Sequence, residues 1–231
     1  VKKTLIALAV AATAAVLIQS PATSAPATAS GAPTKVATAA QTAAPWQLVS
    51  TASDVDGNGQ VDYISLRKVS ATICAVKVAT DSGRVATKSL YSSMGNPCVW
   101  HGSAPLDPVS GAEISVVTGW GAHTAWHSVL TWRAGRIVLE RAPSRARWTV
   151  DGTAMLSEGL RRTRNASGQI RLVHTAVFRG NRGRWDGQAE TYAYRSGTWV
   201  VSARKHVRLT TTQAGRVWGW HVRGLPRWPA A

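Results

Sequence analysis

Between Trp46 and Leu209 the chain carries several alternating or β-branched runs with a period of two, and this is the feature that most restricts its fold. Ile73-Cys74-Ala75-Val76-Lys77-Val78, Ala112-Glu113-Ile114-Ser115-Val116-Val117 and Ile170-Arg171-Leu172-Val173-His174-Thr175-Ala176-Val177-Phe178 all carry it. A period of two places alternate side chains on opposite faces of a strand, so these runs predict half-buried β-strands. Three turns between such runs resemble one another: Thr80-Asp81-Ser82-Gly83-Arg84, Trp132-Arg133-Ala134-Gly135-Arg136 and Tyr194-Arg195-Ser196-Gly197-Thr198. Each offers a glycine suited to a left-handed bulge position, and the glycines recur at intervals of 52 and 62 residues. That interval approaches a four-stranded propeller blade, but three units are fewer than closed propellers use. The expected fold is all-β, either an antiparallel β-sandwich or an incomplete propeller-like stack of hairpins. The one helix candidate is Thr153 to Arg164, and its apolar periodicity is poor.

One loop breaks the alternation with a different pattern. Asp54-Val55-Asp56-Gly57-Asn58-Gly59-Gln60-Val61-Asp62 sets oxygen-bearing groups at every second position and closes on a further carboxylate. Calcium takes six to eight oxygens, and a short loop bent at glycine can converge that many on one point. Asp54, Asp56, Asn58 and Asp62 would supply side-chain oxygens and Gln60 its carbonyl, while Gly59 permits the tight backbone. The competing reading is a bare Asp/Asn/Gly turn. The chain has only eleven acidic residues, so three of them within nine positions favour calcium. Position twelve of the loop is Ser65, where an EF-hand carries a bidentate glutamate, and Tyr63-Ile64-Ser65-Leu66-Arg67 reads as a strand. The loop resembles the calcium loops of the FG-GAP and VCBS repeat families, in which such a segment joins neighbouring β-strands. The resemblance implies a structural Ca2+ and covers about a dozen residues; a second copy of the loop, which those families repeat, is absent from this sequence.

Residues 1–29 have the layout of a secretory signal peptide. Lys2 and Lys3 precede an apolar run from Leu5 to Ile18, and Ala27-Thr28-Ala29 is an A-x-A cleavage site. The apolar run is shorter than the about 20 residues that span a bilayer, and no later stretch is apolar enough to do so. Residues 30–45, mostly Ala, Thr and Pro, bury too little to offset their ordering entropy and are expected to form a flexible leader. The β-domain then occupies residues 46–209, and residues 210–231 form a basic tail containing tryptophan. A secreted, extracellular location makes a disulfide between the only two cysteines, Cys74 and Cys98, the expected state.

Charge and aromatic content bear on partners. The formal charge of +16 falls to +14 when Lys2 and Lys3 leave with the signal. The arginines behind it are scattered, which suits a salt-sensitive attraction to a cell-wall polyanion, polysaccharide or surface protein rather than specific nucleic-acid recognition. Eleven tryptophans stand against one phenylalanine, and exposed tryptophan is a platform for sugar rings. Trp120 and Trp126, in Gly119-Trp120-Gly121-Ala122-His123-Thr124-Ala125-Trp126-His127, form the expected ligand-facing pair. His123 and His127 would be about 13 Å apart on a strand, too far to share a metal. For a hydrolase, His101 with Asp107 and Ser110, or His123 and His127 with Glu113, lack any framing motif, and Glu113 with Asp151 is an unframed carboxylate pair. The expectation is a non-enzymatic, calcium-stabilised binding domain, with a tryptophan-based carbohydrate-binding module and an extracellular hydrolase as the alternatives.

Overall fold

The computed structural model describes residues 43–93, 97–143 and 147–229. The proposed signal peptide and all but the last three residues of the leader lie outside them. Four strands come first: β1 (Gln47–Ser53), β2 (Asp62–Lys68), β3 (Ile73–Ala79) and β4 (Val85–Tyr91), hydrogen-bonded in chain order as an antiparallel meander. The next four are β5 (Val99–Ala104), β6 (Glu113–Trp120), β7 (Thr124–Arg133) and β8 (Arg136–Leu139), again antiparallel neighbours in chain order. A third meander follows in β10 (Leu156–Arg164), β11 (Ile170–Arg179), β12 (Trp185–Arg195) and β13 (Thr198–Leu209). Strand β9 (Trp148–Gly152) pairs with both β7 and β10, and so fuses the second and third meanders into one ten-stranded sheet. Neither this sheet nor the first, four-stranded one closes into a barrel. The fold is all-β.

The three similar turns join the third and fourth strands of the three meanders. Gly83 (φ +81°) takes the predicted left-handed bulge position, its N–H meeting the Thr80 carbonyl at 2.9 Å. The other two are tighter. Ala134 and Gly135 (φ +49° and +77°) and Ser196 and Gly197 (φ +49° and +80°) are both left-handed, as a two-residue type I′ turn requires.

Strands β6 and β7 lie at the centre. Ile114, Val116, Leu130 and Trp132 face the first sheet, packing on Val55, Ile64, Leu66, Val76, Val78 and Leu90. Val117, Ala125 and Val129 face the other way, toward Trp148, Val150, Leu160, Leu172, Tyr192, Trp199 and Trp220. Covered on both faces, β6 is buried over all but its last residue, which is why Ile114 to Val117 carries little polarity. The Cys74–Cys98 disulfide is present and ties β3 to the approach of β5. Closing a loop of 24 residues removes unfolded-state entropy equivalent to about 3 kcal/mol.

Two segments differ from expectation. The helix candidate is strand: β10 pairs with β11 over all nine residues, and its other edge is taken by β9 and then by β14 (Gly219–His221). Pairing on both edges overrides a weak local pattern. The tail does not end the fold at residue 209. Helix α1 (Thr211–Ala214), capped by Thr210 and Gln213 in a capping box, turns the chain back across the sheet. It delivers β14 parallel to β10, with Trp220 opposite Leu160 and 2% exposed. The backbones approach so closely at Gly159 that a Cβ there would lie 1.9 Å from the Val217 carbonyl oxygen.

Candidate metal centre

The 54–62 loop links β1 to β2, and its alternation sorts its side chains. Val55 points into the core at 2% exposure, so the carboxylates on either side of it turn outward together. One oxygen from each of Asp54, Asp56 and Asp62 lies within 4.8 Å of the others. The loop is also braced by its own backbone. Asp54 accepts from the N–H groups of Gly57 (2.8 Å), Asn58 (3.1 Å) and Gly59 (2.9 Å), and Asp62 from those of Val55 (2.7 Å) and Asp56 (3.2 Å). Gly57 (φ +77°) lies against the neighbouring connection, where a Cβ would come within 2.7 Å of the Ser110 backbone.

Asp62 is fully buried. The Asp56 carboxyl is raised above the ordinary carboxylate range, first by burial and then by repulsion from Asp62, Asp54 and Asp81, against the Asn58 N–H, which lowers it. Repulsion of that kind is what a bound cation relieves, and an all-oxygen donor set suits a hard cation such as calcium. The residues therefore fit the group. Asn58 directs its Nδ2 toward Asp56 (3.4 Å) and Asp81 (2.6 Å), while its Oδ1 accepts from Gln60 N–H (2.7 Å). The Gln60 N–H thus fixes the amide with its amino group, not the expected side-chain oxygen, toward the carboxylates. Asp81 is the member sequence spacing missed. It sits in the β3–β4 turn, and the β2–β3 register, Tyr63 opposite Ala79, carries that turn to the mouth of the loop, where Asp81 N–H meets Asp62 at 3.1 Å.

A second acidic group lies deeper. Asp107, Glu113 and Glu140 are buried and also bring oxygens within 4.8 Å of one another. Arg133 supplies the positive charge there, hydrogen-bonded to Asp107 and 3.6 Å from Glu113. Glu113 further accepts from Leu106 N–H (2.6 Å) and the Thr131 hydroxyl (3.0 Å). Glu140 accepts from the Trp199 indole (2.7 Å) through Oε1, whereas its Oε2 has no partner among the described residues. Burial, then repulsion from Glu113, pushes Glu140 up to about 8, so it holds its proton at neutral pH. With Glu140 protonated, Arg133 offsets one of the two remaining negative charges, and Arg162, which interacts with both Glu113 and Asp107, faces the other.

His101 and His127 form a buried relay. His101 sits at a β-bulge in β5, between the paired residues Trp100 and Gly102, which aims its ring at β6. Its Nε2 faces the Pro226 carbonyl (3.0 Å) and must donate, so Nδ1 accepts from the Ser115 hydroxyl (3.0 Å). Ser115 in turn accepts from His127 Nδ1–H (3.1 Å), and His127 Nε2 accepts from the Trp220 indole N–H (3.2 Å). Each donor meets one acceptor only while both rings are neutral, and burial holds both below their usual range, His101 at about 4. The chain of bonds fastens the C-terminal segment to β5, β6 and β7.

The hydrolase combinations do not assemble. His101 engages Ser115, Asp107 engages Arg133, and Ser110 is exposed beside the metal loop. Glu113 and Asp151 belong to separate networks, Asp151 accepting from the Thr124 hydroxyl. Nor do Trp120 and Trp126 share one loop. Trp120 ends β6 and packs on the core beside Trp228, ring centroids 6.3 Å apart, while Trp126 lies in β7 on the face opposite Ala125 and His127. The aromatic concavity is elsewhere: Trp218 and Trp228, edge to face at 5.5 Å, line a cavity of about 240 Å³ with Ala122, His123 and Gly152. No family model matches this chain, and no curated protein or solved structure shows significant similarity to it.

Proposed function

We propose that this chain is a secreted β-domain whose first meander is fastened by calcium and which acts by binding a ligand at or beyond the cell surface. The observation that carries the reading is the convergence of Asp54, Asp56 and Asp62 within 4.8 Å, with Asp81 alongside. The disulfide agrees with an oxidising compartment. Without the glutamate of a full EF-hand, affinity falls in the range of extracellular modules, about 10⁻⁴–10⁻³ M. Calcium at ten times its Kd then stabilises the fold by about 1.4 kcal/mol, or about 3–6 °C in Tm for a domain of this size.

The test is differential scanning calorimetry in 5 mM calcium (about ten times Kd) and in EDTA, with Asp56→Asn alongside. Asp56 is preferable to Asp54, which holds three backbone N–H groups whatever the metal does. The wild type should melt higher in calcium and the variant equally in both; coincident wild-type melts with no heat of calcium binding would end the proposal. The Trp218–Trp228 concavity favours a second reading, a carbohydrate-binding module. A glycan array on which the wild type binds and Trp218→Ala does not would support it.

A further inference from the structure

The third meander separates its charges by face. All three carboxylates in β10 to β13 lie on one face, each already matched: Glu158 with His174 (2.7 Å), Glu190 with Arg204 (2.7 Å) and Asp186 with Arg208 (3.1 Å). Strand alternation puts Arg161, Arg171, Arg179 and Lys205 on the other face with no acidic residue. Arg216 and His221 reach the same side from the segment that α1 turns back across the sheet. Among the described residues, none of these six side chains pairs with a carboxylate.

Arg161, Lys205, Arg216 and His221 line a groove of about 410 Å³ on this face, and Arg171 and Arg179 lie on the same face beyond its lining. One register row, Gly159, Thr175, Ala189 and Lys205, crosses the four strands with small side chains until the lysine at the edge. Val173, Val207 and Leu209 complete an aliphatic floor, and Gln213, Arg216 and Val217 form a wall. The cations are spread widely. Arg161 and Lys205 lie three strand spacings and two residues apart, roughly 16 Å, and Arg171 and Arg179 eight residues apart along β11, roughly 27 Å.

We propose that this groove docks an anionic polysaccharide, a chain of sugar rings bearing carboxylates. The inference rests on the extracellular binding role above and names its ligand class and surface. Several positive charges over that length match a repeating anion better than a single one, and guanidinium groups recognise carboxylate in bidentate fashion. The level floor lets flat rings lie between the arginines on their C–H faces. An acidic peptide added as a strand would instead pair along the β13 edge of the sheet rather than lie across its face.

The experiment measures binding of the purified protein to carboxymethylated dextran, neutral dextran and a single-stranded oligonucleotide by biolayer interferometry, in low and in moderate salt. The carboxymethylated polymer should bind and weaken as salt rises, and neutral dextran should not bind. Arg161→Glu/Lys205→Glu should weaken binding at least about tenfold by removing cations from the docking face. Arg84→Glu/Arg136→Glu, an equal charge change on exposed residues of the other meanders, should stay within about twofold. Equal losses in the two double variants would reduce the effect to net charge and overturn the proposal, as would no loss in the first or tighter binding of the oligonucleotide. Far-UV circular dichroism and melting of both variants show that they are folded. Calcium-dependent melting is a separate readout, so failure of the metal reading and failure of the groove are distinguishable.

Discussion

Replacing Glu140 by glutamine should stabilise the protein, and increasingly so as pH rises. In the folded state burial and Glu113 hold the Glu140 carboxyl at about 8, against 4.5 for the free side chain. A raised folded value means that the native state binds this proton more tightly than the unfolded chain. The associated stability is complete below pH 4.5 and is lost as pH climbs toward about 8. Each pH unit across that window is worth about 1.4 kcal/mol, for an upper limit of about 5 kcal/mol. Relaxation and water entry raise the effective dielectric, so about 2–3 kcal/mol is the working figure. Glutamine keeps an oxygen for the Trp199 indole and carries no charge to desolvate. Glu140→Gln should therefore match the wild type near pH 5 and exceed it by about 2–3 kcal/mol at pH 8.5, about 4–12 °C in Tm. Urea unfolding from pH 5 to 9 at fixed calcium gives the difference directly. A stability difference that is flat across the range, or that favours the wild type at high pH, would refute the placement of a protonated carboxyl at this position.

Two further outcomes follow from the buried joints. Ser115→Ala strands the Nδ1 acceptor of His101 and the Nδ1 donor of His127 together, and should cost about 2–4 kcal/mol in urea unfolding. In the wild type the same relay contributes stability above the ordinary histidine range that is lost as pH falls from about 6.5 toward 4, and the variant should show a shallower acid limb. Gly159→Ala drives a methyl into the Val217 carbonyl, so β14 should detach from β10; limited proteolysis should cut near residues 215–219 in the variant while the wild type resists.

Local chemistry left a direct trace in the sequence. Period-two runs dictated strands, and the Gly83, Gly135 and Gly197 turns marked the same joint of each meander because left-handed torsions have few residue solutions. Two cysteines without alternatives could pair only with each other. Asp54, Asp56 and Asp62 could be grouped because a nine-residue loop contains all three. Asp81 joined them only through the β2–β3 register. The Glu140 cluster draws on the β5–β6 connection, β6, β7 and the end of β8, and the histidine relay reaches from His101 to Pro226. Nothing in a local pattern encodes such meetings, since strand order and register decide which distant residues coincide. The segment 153–164 shows the same limit from the other side: its own propensity is weak, and partners on both edges made it a strand. The charge segregation of β10 to β13 was likewise invisible as scattered arginines, and only the register sorted them onto one face.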